Sequence, residues 1–316
     1  MKPLLLACTL VSGCCLGMAA LAQTPVRIVM PFPPGAAADS VARIIAAPLS
    51  KALGQPVVVD NRTGADGAIA AEQAARSPAD GQTLLFAGNT QMLGVPTLRK
   101  SPPYDPLNDF VAITPVVRFA FFLVVHPDTP AQTLGQLIEH ARAHPGKLNY
   151  ASGNVNGVLA AAQLASAAKV QMVHVPYKGE PLAVPDLVDG RVHLMFASGA
   201  VVAPLVKQGK LRALATLLPT RSALLPDVPT AAEAGMPQLS VLIWGGLFGP
   251  ARMPVERVEL ISREVNTILK RPDVREQLQL QGVEPSGSTP AEFSTFLKGQ
   301  LADWAQAARE AGLKPE

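Results

Sequence analysis

Cysteine is almost absent from this chain: there are three in 316 residues, Cys8, Cys14 and Cys15, all within an amino-terminal apolar stretch. Removal of that stretch leaves no disulfide, no thiolate nucleophile and no cysteine metal site. A chain of this length does not need disulfides, because its core is large relative to its surface. Charge is scarce as well. Asp, Glu, Lys and Arg make up 16% of the residues, the net charge is +3, and the basic residues are scattered singly. Without a basic run there is no electrostatic footprint for nucleic acid. Beyond the leader no apolar stretch reaches the roughly 18–20 residues needed to cross a bilayer, so the remainder reads as a soluble chain. Apolar surface, by contrast, is plentiful. At 48% hydrophobic residues the composition is not that of a disordered chain, and the length suits one large domain or two of roughly 150 residues.

The leader has the order of an export signal. Lys2 precedes an apolar run at 4–18, and Ala20-Leu21-Ala22 is small at the two positions that flank a signal-peptidase cut. Residues 1–22 are therefore expected to be a signal peptide cut after Ala22. A competing pattern, Val11-Ser12-Gly13-Cys14, has the form of a lipid-attachment site at Cys14. Its apolar segment, 4–12, is short for a signal peptide, which makes it the weaker reading.

Directly after the leader, Val26-Arg27-Ile28-Val29-Met30 runs into Pro31-Phe32-Pro33-Pro34-Gly35 and then into a helical pattern from Asp39. A strand ending in a Pro/Gly turn that opens a helix creates a corner suited to anions. Helix N-termini carry unpaired N–H groups and the positive end of the dipole, so carboxylates and phosphates settle there without a lysine. The same turn has a bland reading as a stiff connection, since Pro and Gly punctuate every fold.

Strand patterns recur at 26–30, 57–60, 83–87, 121–125, 148–151, 173–176, 192–196, 212–217 and 241–248. Helical patterns fall at 39–53, 67–76, 133–143, 158–168, 181–188, 255–269 and 290–311. This alternation predicts an α/β fold with parallel sheets covered by helices. Pro48 inside the first helix is expected to remove a hydrogen bond and kink it. Two apolar runs, 118–125 and 241–248, stand near one third and three quarters of the chain. They are the places where a two-lobed chain would cross between lobes, with the ligand at the carboxyl ends of the strands.

At this level the chain resembles the Bug-type periplasmic receptors, the solute-binding proteins of tripartite tricarboxylate transporters. The resemblance spans nearly the whole chain after the leader. It rests on Pro31-Phe-Pro-Pro-Gly35, Gly54-Gln-Pro-Val-Val-Val-Asp-Asn-Arg62, Asp80-Gly-Gln-Thr-Leu-Leu85 and Tyr104-Asp-Pro-Leu-Asn-Asp-Phe110. Pro145-Gly-Lys-Leu-Asn-Tyr-Ala-Ser152, Val173-His-Val-Pro-Tyr-Lys-Gly179, Gly209-Lys-Leu-Arg-Ala-Leu214 and Leu225-Pro-Asp-Val-Pro-Thr230 continue it. The specificity lies in their order and spacing.

The resemblance implies a type II periplasmic-binding-protein fold, a two-lobed Venus flytrap in which each lobe is a sheet flanked by helices. The expected division is lobe 1 from 23–122 plus 243–316 and lobe 2 from 123–242, with the ligand cleft between them. It further implies a monomer of the periplasm that captures a small carboxylate by lobe closure and delivers it to membrane transporter subunits, or reports it to a sensor kinase. No cofactor, metal or catalytic residue is called for. The binding positions carried over are Phe32, Pro34, Gly35, Ala36 and Ala37 in the first turn and Gly88, Asn89 and Thr90 after the third strand. Ser152, Asn154, Asn156 and Gly157 in the second-lobe loop complete the set, together with Tyr177, Ala197 and Ser198.

The chain departs from the family pattern at several of these. A Gly-Gly pair is replaced by Gly35-Ala36-Ala37-Ala38, which narrows the floor of the pocket and removes conformations with φ > 0. A serine cluster followed by histidine is replaced by Asn154, Asn156 and Leu159. An aspartate common after the second-lobe Met-Phe strand is here Ala197, which removes an obvious partner for an ammonium group. The expected ligand is therefore a carboxylate without a free amine.

Other readings are weaker. His140 and His144 have metal-ligand spacing but sit at a helix end, where histidine favours the dipole, with no third ligand nearby in sequence. His174 and His193 lie in strand patterns and read as packed. Ser152 and Ser198 lack a Gly-x-Ser-x-Gly elbow, so an exported hydrolase on this scaffold has no visible machinery. Tyr177 and Lys178 are equally suited to reaching an anion and to lying on the surface, and Trp244 reads as core.

Overall fold

The structure, a computed structural model, describes residues 24–310 other than Ser240, together with Leu313 and Pro315. The expected leader at 1–22 and Ala311 of the last predicted helix lie outside these residues.

Two sheets organise the chain. The first contains β1 (Val26–Met30), β2 (Val57–Asn61), β3 (Thr83–Gly88), β4 (Phe110–Phe119), β10 (Ile243–Pro250) and β11 (Val283–Pro285), in the order β11-β4-β10-β3-β1-β2. The second contains β5 (Phe121–Val125), β6 (Leu148–Ser152), β7 (Met172–Pro176), β8 (Leu194–Ser198) and β9 (Arg212–Thr216), in the order β7-β6-β8-β5-β9. Both sheets are mixed, which corrects the expectation of parallel ones. β1 is parallel to β2 and β3, and β6 to β7 and β8. β10 runs antiparallel to β3 and β4, and β5 antiparallel to β8 and β9. The antiparallel strands are those through which the chain passes from one sheet to the other. The apolar run at 118–125 is not one strand: it breaks at Ala120, where β4 in the first sheet hands over to β5 in the second.

Alternation of side chains across each sheet builds the layers. On the first sheet Ile28, Met30, Leu84 and Phe86 face α1 (Ala37–Leu53), α8 (Val255–Leu269) and α9 (Pro272–Leu280), closing one core over Val41, Ile45, Ile261 and Leu278. The opposite face, with Val29, Leu85, Ala87 and Phe248, is covered by α2 (Ala68–Ala75) and α10 (Pro290–Glu310). That cluster continues without a break into the second sheet through Phe121, Leu123 and Val125, under α4 (Leu134–Ala143) and α5 (Val155–Ala168). Phe122, Val124, Met195 and Ala197 point the other way, onto α6 (Glu180–Val188) and α7 (Gly199–Lys207).

Helix ends follow their sequence signals. Thr133 caps α4 by accepting from the Gln136 amide, and Asn154 caps α5 by accepting from Gly157. Gly54 closes α1 in the left-handed conformation at φ 66°. α1 runs on through Pro48. Two strands and three helices escaped the sequence reading. β4 contains Pro115, a residue that argues against a strand; it sits beside a shift in the register with β10, an irregularity of the kind at which proline is tolerated. β11 is only three residues long, α7 opens with Gly199 and carries Pro204, and the polar α9 begins with a proline. Thr90–Gly94 forms a π-helical turn leading into α3 (Val95–Leu98).

Candidate functional site

The turn after β1 is held by a charged network. Asp39, in the first turn of α1 and almost fully buried, accepts from the Gly35 amide at 2.9 Å, from Arg43 Nε at 3.0 Å and from Asn61 Nδ2 at 2.9 Å. Asn61, at the end of β2, also donates to the Phe32 carbonyl, and Arg43 Nη2 donates to Asn61 Oδ1. Burial alone would push the Asp39 carboxyl up. Its donors outweigh that and hold it below the ordinary 3.8. Gly35 has φ 84°, a left-handed conformation that only glycine adopts cheaply. Ala36, the N-cap of α1, makes no side-chain cap.

β3 delivers the second segment. Gly88 lies so close to β10 that a Cβ there would meet the Trp244 carbonyl. Asn89 follows, buried, donating to the Leu242 carbonyl and accepting from the Trp244 amide. Its amide thus ties the end of β3 to the start of β10. Gln91 Nε2 donates to the Asp66 carbonyl, and Gln91 Oε1 accepts from the Gly88 amide.

The second sheet contributes two helix starts. Between β6 and α5, a Cβ at Gly153 would meet the backbone of Gly179 and Glu180, so this loop and the start of α6 lie backbone to backbone. Between β8 and α7, the Gly199 amide donates to the Ala120 carbonyl at the sheet crossing. Glu180 joins the two. Its carboxylate accepts from Asn154 Nδ2 at 2.8 Å, from Ser198 Oγ at 2.9 Å and from the Ser198 amide at 3.1 Å. Ser198, the N-cap of α7, therefore spends its hydroxyl on Glu180 and makes no side-chain cap to its own helix.

These segments enclose one cavity of about 280 Å³ between the two sheets. Its polar wall comes from Asn89, Thr90, Gln91, Asn154, Asn156, Ser198 and Gln281; Phe32, Phe86, Phe119 and Ile243 supply most of the apolar wall, and Trp244 borders it as well. The starts of three helices, α1 (Ala36, Ala37, Ala38), α5 (Asn154, Asn156) and α7 (Ser198, Gly199, Ala200), converge on it. Among the described residues that line it, none carries a charge. A second cavity shares Thr90 and Asn154 and has Arg99 and Lys100 on its wall.

Of the residues singled out from the sequence, Phe32, Ala36, Ala37, Gly88, Asn89, Thr90, Asn154, Asn156 and Ser198 meet in this one cavity. The others do not line it. Pro34 and Gly35 are exposed on the outside of the turn. Ser152 is buried beneath the loop, its Oγ 2.6 Å from His174 Nε2. Gly157 gives its amide to Asn154. The Tyr177 hydroxyl donates to Asp186, a bond that pushes the pKa of the tyrosine up. Ala197 has no exposed surface and faces the core under α6 and α7. Trp244 is both buried core and cavity border.

Several cavity residues were missed. Phe119, Ala120 and Ile243 lie within the two runs flagged as crossings, so a signal existed for them. Gly199 and Ala200 begin a helix that the sequence did not reveal, and Gln281 and Gly282 follow another. Glu180 was missed for a different reason: nothing local distinguishes one glutamate at a helix start from a solvated one, and only its placement behind Asn154 and Ser198 does.

The family model for the tripartite tricarboxylate transporter family receptor matches residues 41–313. Protein BugT of Bordetella pertussis is 36% identical over 295 residues, covering 92% of this chain and 90% of that one. Among solved structures, the Rhodopseudomonas palustris protein Rpa4515 with adipate superposes with a TM-score of 0.76 at 32% identity, covering 93% of this chain and 99% of that one. MatC from the same organism, with bound malate, gives 0.70 at 29% identity, with 90% and 99% covered.

Proposed function

The chain belongs to the tripartite tricarboxylate transporter receptor family, and from that premise we propose that it is an exported receptor that captures a small carboxylate in the cavity between its lobes. Delivery to the membrane subunits of a tripartite transporter, after cleavage of the leader behind Ala22, completes the reading. The observation that carries it is the convergence of three helix N-termini on a cavity whose described lining has no charged side chain. α1 and α7 have no side-chain cap, which leaves first-turn amides to a ligand, apart from that of Gly199, which is taken by the Ala120 carbonyl. An anion there is bound by backbone dipoles, ordered water, the Asn156 amide and the second amide hydrogens of Asn89 and Asn154, whose first are given to Leu242 and Glu180, without a counter-ion.

Two features narrow the ligand. Phe32, Phe86, Phe119 and Ile243 offer an apolar wall, which suits a carboxylate with a hydrocarbon or aromatic body. Among the described residues no acidic side chain lines the cavity. The argument from Ala197 alone was incomplete, because Glu180 brings a carboxylate close by. That carboxylate sits behind Asn154 and Ser198, already holding their donors, so it is no free partner for an ammonium group. Relatives solved with adipate and malate hold amine-free carboxylates.

The lobes are read as 23–122 with 243–316, and 123–242, the change of sheet itself falling at Ala120. Closure about these crossings sequesters the ligand by population shift, with no chemistry involved. The test is a thermal-unfolding screen of the mature chain, refolded to strip bound ligand, against adipate, malate, citrate, benzoate, aspartate and glucose 6-phosphate. A ligand at a hundred times its Kd adds about 2.7 kcal/mol to stability. Stabilisation by amine-free carboxylates alone is the expected outcome. Stabilisation by aspartate alone would overturn the amine-free ligand, and silence across all the acids would overturn the carboxylate reading.

A further inference from the structure

We infer that Glu180 is a positioning residue for ligand capture: it ties together the two second-lobe helix starts that face the cavity, and an anion held by them draws a proton to its buried carboxylate. The inference rests on the reading of the cavity as a carboxylate site.

The geometry is specific. Glu180 is 7% exposed and is the second residue of the segment against which Gly153 is pressed backbone to backbone. Its Oε1 accepts from Asn154 Nδ2 and Ser198 Oγ, and Oε2 accepts from the Ser198 amide. Asn154 is the N-cap of α5 and Ser198 that of α7, and both line the cavity. One carboxylate thus sets the spacing of two of the three helix starts. Asn154 uses both ends of its amide, the oxygen on Gly157 and the nitrogen on Glu180, so its rotamer is fixed.

Among the described residues no cation is paired with the Glu180 carboxylate. The titratable neighbours are engaged elsewhere: His174 with Ser152 and stacked on Tyr150 at 4.8 Å, Tyr177 and Arg191 with Asp186, while Lys178 is exposed. β8 and the first turns of α5 and α7, which pack around Glu180, contribute no ionisable side chain. A ligand carboxylate brought to the starts of α5 and α7 therefore meets a like charge one side chain behind Asn154 and Ser198. Burial already pushes Glu180 above the ordinary 4.5, while the donors from Ser198 and Asn154 act in the opposite direction. A bound anion pushes it further up, since like charges disfavour each other's ionisation. Binding then takes up protons, and affinity falls as pH rises between the free and bound values of Glu180.

Two arms test this. The first needs no ligand: hydrogen exchange of the amides at 154–158 and 198–202 in Glu180→Gln and Glu180→Ala. Glutamine retains the acceptor oxygen and should keep protection near wild type. Alanine should raise exchange in both segments together, roughly tenfold or more, with α1 unaffected. Unchanged exchange in Glu180→Ala overturns the positioning role. The second arm is calorimetric titration of adipate and of benzoate across about pH 5–8, in two buffers of different ionisation enthalpy. Wild type should take up a fraction of a proton and weaken with rising pH, by at most about tenfold per unit for one linked proton, whereas Glu180→Gln should bind with a flat profile. Equal profiles in the two proteins overturn the proton linkage. If neither acid binds, the carboxylate reading and the linkage fall together, and the exchange arm still decides the positioning role by itself.

Discussion

Two buried carboxylates, Asp39 and Glu180, hold the walls of the cavity, and their pKa values are displaced in opposite directions. Asp39 has a cation and two amide donors, which hold it below its ordinary value; Glu180 has donors but no cation, and burial leaves it raised. The consequences for stability have opposite signs. Asp39, depressed in the folded state, contributes stability that is fully present above 3.8 and is lost as pH falls through its folded value. Replacing Asp39 with Ala should cost about 2–3 kcal/mol near neutral pH, because hydrogen bonds to a buried charge are lost. The difference from wild type in urea unfolding should shrink below about pH 4 as Asp39 itself protonates. Glu180, raised in the folded state, is most favourable below 4.5 and costs stability as pH rises through its folded value. Glu180→Gln should therefore flatten the part of the stability profile just above 4.5, as read by denaturant midpoints in the ligand-free protein. An unchanged slope would show that the carboxylate is solvated.

Helices matter here mainly through their first turns. α5 begins at a residue that caps the helix and lines the cavity at once. Asn154→Ala should cost about 1 kcal/mol in helix stability through the lost cap. It should also weaken ligand binding by more than that figure alone implies, because Glu180 loses a donor. Asn154→Ser keeps a cap and is expected to recover the stability without recovering the bond to Glu180. Comparing the two by unfolding and by ligand titration separates capping from binding. Gly153 offers a sharper perturbation. A methyl group there meets the backbone of Gly179 and Glu180, atoms that cannot rotate away, so Gly153→Ala must push the loop from α6. The expected result is a folded protein with ligand affinity reduced roughly tenfold or more; wild-type affinity would mean that the spacing of the two helix starts does not set the site.

On the scale of the molecule, the cavity exists only where two sheets meet. Its walls come from the β1–α1 turn, β3, the end of β4, β10 and the α9–β11 connection on one side, and from the starts of α5 and α7 on the other. The crossing at Ala120 and the entry into β10 at Ile243 border the cavity themselves. Ligand capture should therefore bring the sheets together and reduce the radius of gyration in small-angle scattering. It should also alter the fluorescence of Trp244, which borders the cavity, more than that of Trp304 on α10. A ligand-dependent signal that survives in Trp244→Phe and disappears in Trp304→Phe would place the change at the α10 side instead.

Sequence alone determined the class of fold, the short β-branched and aromatic strands such as β1 and β5, most of the helices, and nine residues of the cavity. Those features are local: short apolar runs, period-3.6 patterns and Pro/Gly turns act over a few residues. The order and spacing of the motifs carried the family. Tertiary structure alone decided that the sheets are mixed, that one apolar run divides at Ala120 between them, and that Tyr177 and Ala197 lie outside the lining of the cavity. It also decided that Glu180, Gln281 and Gly282, from segments with no local signal, arrive at or behind the same cavity. The physical reason is that strand direction, burial of a carboxylate and the lining of an interlobe cavity depend on contacts between residues far apart in the chain, which no window of sequence contains.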